Sequence, residues 1–238
     1  DRNERIFLLI YILPVFAYIY SMNGLRIGLA SCFILLAVQF FRRKKRKTML
    51  LFGFIGFLFH YSVLIPILYL LLHSSSSVLK FKNILYILLF LSLLLIPITL
   101  NVDFFLKKYD AYSNFQSPSA LSGLSIIIPM FVMLISMAFT SFKNDQKYKI
   151  ITLGLVALIL GYFLASQSYA GLRILDLLRF AIPVSILLTY QRLNARLDKV
   201  FIISLLIASL MTAFTIYLNF LGMYNAGRNS WLPYETFF

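Results

Sequence analysis

The sequence predicts an all-α, polytopic transmembrane helical bundle of about seven full spans plus a short broken-helix hairpin. Three observations predict it. The chain is 61% hydrophobic and only 13% charged, its mean hydropathy is +0.88, and apolar runs of membrane-spanning length recur from end to end. Aromatic residues reach 17%, with 24 Phe and 15 Tyr, a composition suited to lipid-facing helices and an interfacial belt. Apolar runs between polar breaks place spans near 6–20, 22–41, 83–100, 120–140, 149–166, 172–190 and 200–221.

The stretch 48–73 is different. His60-Tyr61-Ser62 interrupts its middle and Pro66 follows. If it crossed once, the basic segments before and after it would fall on opposite sides. If it is a hairpin, Arg2, Arg5, the run Arg42–Lys47, and the lysines and arginines near 80, 145 and 195 all share one side. Positive loops face the cytoplasm, so the hairpin is predicted. Each arm of about twelve residues is roughly 18 Å long, too short for an ordinary span. Broken helices at such depth are tolerated only against protein or a cavity.

This topology puts the N-terminus inside and both the loop 101–119 and the tail 222–238 outside. One membrane domain covers 1–238. The opening Asp1-Arg2-Asn3-Glu4-Arg5 carries no Met, so the chain is expected to be the C-terminal part of a longer protein, and the first apolar run has no small-residue cleavage site of a signal peptide. The single Cys32 excludes a disulfide framework and reads as a small core residue. The formal net charge of +14 does not indicate nucleic-acid binding, because the basic residues cluster between apolar segments as topology signals and as a contact for anionic membrane lipids.

Three arginines stand apart from those clusters: Arg26, Arg173 and Arg179, all in or beside apolar segments. A charge there costs roughly 2.5–3.5 kcal/mol at the centre of a membrane helix and marks a functional site by default. Arg173, Asp176 and Arg179 share a helix face. Either they form a self-satisfied Arg–Asp–Arg triad, or Asp176 orients one arginine while the others bind phosphate bidentately. Arg26 follows Asn23, a helix-capping residue type, and Gly24; the alternative is that it snorkels to the headgroups. His60 has no metal-ligand companions. It reads either as a satisfied core histidine or as a donor or proton carrier for a sugar hydroxyl. Under the predicted topology all of these converge on the outer half of the bilayer.

The external loop, with Asp103, Tyr109, Asp110 and Tyr112, offers aromatic faces and hydrogen-bonding groups suited to sugars; the alternative is an ordinary interfacial loop. No Gly-x-Ser-x-Gly, P-loop or His-Glu-x-x-His motif occurs.

The segment Asn23-Gly24-Leu25-Arg26-Ile27-Gly28-Leu29-Ala30, the basic run, and Phe59-His60-Tyr61-Ser62 together resemble the EpsG-like branch of the Wzy polysaccharide polymerases. The closing Gly222-Met223-Tyr224 and Trp231-Leu232-Pro233-Tyr234-Glu235 resemble that family's last segment. Where the family often has Gln after the arginine, this chain has Ile27. The resemblance implies a GT-C-like membrane glycosyltransferase of the bacterial inner membrane. Such an enzyme joins undecaprenyl-pyrophosphate-linked repeat units into O-antigen, capsule or exopolysaccharide at the external face.

Carried over by position, Arg26, His60 and Arg173 would be its catalytic residues, and the shared helix face adds Asp176 to them. Asn23, Arg179, Tyr109, Asp110, Tyr169, Trp231 and Tyr234 would bind substrate, with no metal and no cofactor. Its partners would be the lipid-linked donor and acceptor, membrane lipids, a chain-length regulator and a flippase. The alternatives are an O-antigen ligase, which shares the chemistry, and a lipid-linked oligosaccharide flippase or transporter, which would show internal repeats that are not found here. An acyltransferase would want its histidine near a cytoplasmic acyl donor, whereas His60 points the other way.

Overall fold

The computed structural model describes residues 2–17, 25–74, 123–167 and 169–220, and all regular structure among them is helical. Helix α1 (Arg2–Phe7) continues as a π-helical segment, Leu8–Ala17, around Pro14. Proline has no N–H and crowds the preceding turn, and a widened turn relieves both problems. Then come α2 (Leu25–Arg42) and α3 (Arg46–Phe59). After the 3₁₀ turn Tyr61–Val63 come α4 (Leu64–Ser74), α5 (Leu124–Ser136, extended by the 3₁₀ turn Met137–Phe139) and α6 (Asn144–Gln167). The last two are α7 (Tyr169–Arg192) and α8 (Lys199–Phe220).

Among the described residues, three helices are long and apolar enough to cross a membrane: Leu25–Arg42, Asn144–Gln167 and Lys199–Leu218. Two shorter apolar ones are Tyr61–Ser74 and Leu124–Phe139. The span expected at 83–100, the loop 101–119 and the tail 222–238 lie outside the described residues. The others correspond to helices whose ends differ from the predicted ones by a few residues. The largest difference is α6, which starts at Asn144 because its first turns carry Lys147 and Lys149 beyond the apolar stretch.

α7 is the axis. From Leu177 to Tyr190 every residue is buried, and a helix covered on all sides belongs in the middle of a bundle. α1, α4, α5 and α6 pack against it. The outer helices turn large side chains outward, among them Leu50, Phe54, Ile159, Phe163, Leu210 and Phe214; in a membrane these face lipid rather than water. Cys32 is exposed on α2 and so is not the core residue expected. α2 meets its neighbour instead through Gly28, Ala30, Ser31, Ile34 and Ala37. Gly56 gives α3 its close approach, since a Cβ there would stand 3.1 Å from the Ala30 carbonyl oxygen.

Antiparallel α2 and α3 are locked by stacked rings, Phe40 on Phe52 at 5.2 Å and Phe33 on Phe59 at 5.3 Å. α4 then runs parallel to α7, with His73 Nε2 2.9 Å from Thr189 Oγ1. The segment from Lys45 to Ser74 therefore leaves the end of α2 and comes back to the end of α7. Glu4 joins these two ends directly, accepting from Gln39 at 2.7 Å, from Gln191 at 2.9 Å and from Arg42. Every described Lys and Arg except Arg26, Arg173 and Arg179 lies at this one end of the bundle.

Candidate functional site

The opposite end is set by helix register. The first helical segment runs antiparallel to α7, from Glu4 beside Gln191 to Phe16, whose ring meets Phe180 edge-on at 5.8 Å. Carrying the His73–Thr189 register back along α4 brings His60 to within about one turn of the level of Asp176. The α2–α3 pairing brings Arg26 to the same end, and the Tyr61–Val63 turn itself packs on α2. Arg173 lies one turn beyond Asp176. By register, Arg26, His60, Arg173, Asp176 and Arg179 thus all lie toward the end away from the basic clusters, and only Asp176 and Arg179 among them are seen in contact.

The three arginines are not equivalent. Arg179 is 5% exposed and donates through Nη2 to Asp176 Oδ1 at 2.7 Å. Its guanidinium lies 5.5 Å from the centre of the Phe16 ring, a favourable contact between a cation and an aromatic face. Its Nε has no hydrogen-bond partner among the described residues. Arg26 and Arg173 are exposed and make no ion pair among the described residues. The helix-face arrangement is therefore a pair, Asp176 with Arg179, and the triad open in sequence does not form. Asp176 is also the one carboxylate among the described residues of this end, where it faces three arginines.

His60 makes the break in the hairpin. Its backbone is extended, with φ −158° and ψ 112°, and its N–H closes α3 on the Gly56 carbonyl. Its side chain then caps the 3₁₀ turn. Nδ1 accepts from the Ser62 N–H at 3.3 Å and lies 2.5 Å from Ser62 Oγ, with the ring stacked on Tyr61 at 5.4 Å. An imidazole whose Nδ1 accepts carries its proton on Nε2 when neutral. Its Nδ1 is then engaged with Ser62 and is not the nitrogen that collects a proton.

Gly171 lets the end close. A Cβ there would run into the Leu164 carbonyl and the Ala165 nitrogen, so only glycine allows α7 to start so tightly against the end of α6. That turn fixes where Arg173 emerges.

Asn23, Tyr109, Asp110, Trp231 and Tyr234 lie outside the described residues, as does the side chain of Tyr169. Among the described residues, no group of three His, Cys, Asp or Glu side chains could hold a metal ion. Two contributors escaped the sequence reading. Phe16 covers Arg179, and the Tyr11 hydroxyl donates to the Arg179 carbonyl at 2.9 Å. Both sit in the first apolar run, where aromatics look like ordinary belt residues. Their only signal is that both are aromatic residues in a run that packs against the arginine-bearing helix.

No curated protein and no solved structure matches the chain. The model of the EpsG family matches residues 2–236. With a match of that extent, carried by a helical bundle whose arginine-bearing end opposes a basic one, the chain belongs to the EpsG family, a membrane family related in function to polysaccharide polymerases.

Proposed function

We propose that this protein is an integral membrane glycosyltransferase of the Wzy type. In this reading it polymerises undecaprenyl-pyrophosphate-linked oligosaccharide repeat units at the external face of the bacterial inner membrane. The observation that carries the reading is the pair of exposed arginines, Arg26 and Arg173, which make no ion pair among the described residues and lie at the end of the bundle away from the basic loops.

The growing glycan on its lipid pyrophosphate is the donor, and a single lipid-linked repeat is the acceptor. The acceptor hydroxyl oxygen attacks the anomeric carbon, the bond from that carbon to the phosphate oxygen breaks, and the pyrophosphate leaves with the bonding electrons. Charge therefore grows on the leaving group. Guanidiniums already in place stabilise it without reorganising, and each hydrogen bond of this kind is worth about 10²–10³ in rate in comparable sites. Arg26 and Arg173 take that role through bidentate contacts. His60, with Nε2 as donor, steadies a phosphate or sugar oxygen. Asp176 fixes Arg179, whose buried charge adds to the field. The hydroxyl proton passes to a carboxylate, for which Asp103, Asp110, Asp176 and Glu235 are the candidates.

Supplying the purified protein in proteoliposomes with one defined lipid-linked repeat unit tests the reading. A ladder of products lengthening by whole repeats is expected. Unchanged single units would refute it, and transfer of a glycan to lipid A without lengthening would mark a ligase instead.

A further inference from the structure

At the basic end, a cavity of about 300 Å³ is walled by Arg2, Arg42, Gln191, Asn194 and Arg196. Its arginines come from α1, from the end of α2 and from the connection between α7 and α8, so it exists only in the assembled bundle. Asn3 sets its floor. The Asn3 Nδ2 donates to the Ala195 carbonyl at 2.8 Å, and its Oδ1 accepts from the Leu197 N–H at 3.4 Å. Arg42 is paired with Glu4. Arg2 and Arg196 are exposed and make no ion pair among the described residues. A chamber lined by amides and carrying two surplus positive charges is the complement of an anion.

A second cavity of about 120 Å³ lies beside it, between the first helical segment, α2 and α7. Leu8, Ile12, Leu35 and Leu188 line it. Gln191 lines both cavities, and Glu4, which borders the second, accepts hydrogen bonds from Gln191 and Arg42 of the first. A cationic chamber therefore opens next to an apolar slot. A free anion would need only the chamber; an amphiphile uses both.

We propose that the two cavities bind one anionic phospholipid of the leaflet on the basic side. Its phosphate contacts Arg2, Arg42 and Arg196, and the start of one acyl chain occupies the slot. Basic pockets between membrane helices on the cytoplasmic side hold lipid headgroups in this way, and arginine forks match phosphate oxygens in pairs. The inference is independent of the polymerase reading, since the cavities lie at the other end of the bundle.

Native mass spectrometry of the full chain, purified in mild detergent and titrated with phosphatidylglycerol or phosphatidylcholine, tests it. One phosphatidylglycerol should stay bound under activation that strips phosphatidylcholine. Arg2→Gln with Arg196→Gln should weaken that retention about thirtyfold, taking about 1 kcal/mol for each of the two basic residues near a lipid surface as the guide. Arg2→Lys with Arg196→Lys should restore most of it. Arg43→Gln with Lys47→Gln removes the same charge from outside the cavity and should leave retention unchanged. Leu35→Trp, which fills the slot without changing charge, should weaken it. Inorganic phosphate at equal concentration should not displace the lipid. Equal weakening by the two glutamine pairs, indifference to Leu35→Trp, release by inorganic phosphate, or no preference for phosphatidylglycerol would each overturn the proposal.

Discussion

At the basic end, positive charge is bound into the fold. Lys149 donates to the His73 carbonyl at 2.6 Å and Arg192 to the Ser74 carbonyl at 3.4 Å, which satisfies the open C-terminus of α4 and suits its dipole. Arg192 also lies over the Phe41 ring at 5.4 Å. Asp198 ties three elements, accepting at 2.9 Å from the Ser141 N–H, the Ser141 hydroxyl and the Tyr190 hydroxyl. At the other end Arg26 and Arg173 make no ion pair among the described residues, and the one arginine neutralised among them is Arg179. The difference teaches that the number of charges is a poor guide to function. The crowded end commits many of its cations to architecture, while among the described residues of the sparse end only Arg179 is so committed.

The comparison can be sharpened by removing one interaction at a time. The largest loss of stability is expected at the sparse end, from Asp176→Ala. Leaving Arg179 buried without its partner costs about 3–5 kcal/mol, read as a lower unfolding temperature in detergent. Arg173→Ala, which strands no partner among the described residues, should melt like the parent. If the two variants melted alike, the distinction between a buried, paired arginine and an exposed one would fail.

Gly171→Ala should come next, at about 2 kcal/mol, because the added carbon meets backbone rather than a movable side chain. Its polymer yield should fall as well, since the turn aims Arg173. Full activity in a destabilised variant would break that link.

A smaller effect belongs to the basic end. Burial pushes the Glu4 carboxyl up, but the Gln39 hydrogen bond and the Arg42 charge outweigh it and hold the group below the ordinary carboxylate range. The native protein therefore takes up this proton less readily than the unfolded chain does. The stability that Glu4 lends is complete above the ordinary carboxylate pKa and fades as pH falls through the lowered native value. Glu4→Gln should cost about 1 kcal/mol at neutral pH, and the gap from the parent should close on acidification. A gap that widened in acid would contradict this sign.

Much of this architecture was legible in sequence because apolar length and basic clustering are local signals. The break at His60 could be anticipated, since His-Tyr-Ser interrupts an apolar stretch, and the separation of Arg26 and Arg173 from the other cations followed from counting loop charges. Partner choice was not legible. Nothing in the spacing of 173, 176 and 179 says which arginine Asp176 takes; packing against Phe16 and Tyr11, more than 150 residues away in sequence, puts Arg179 inside. Nor could hydropathy mark α7 as the axis, because its charged first turns dilute the most buried helix of the bundle. The exposure of Cys32 was missed for a related reason: in an apolar helix, composition does not distinguish the lipid face from the protein face.

The most direct test of the central claim compares the two ends in one reconstituted system supplied with a defined lipid-linked repeat unit. With Arg173→Ala, the yield of elongated product should fall by about 10²–10³, while Arg43→Ala at the basic end polymerises like the parent. An Arg173→Ala protein that builds the ladder at the parental rate would contradict the account.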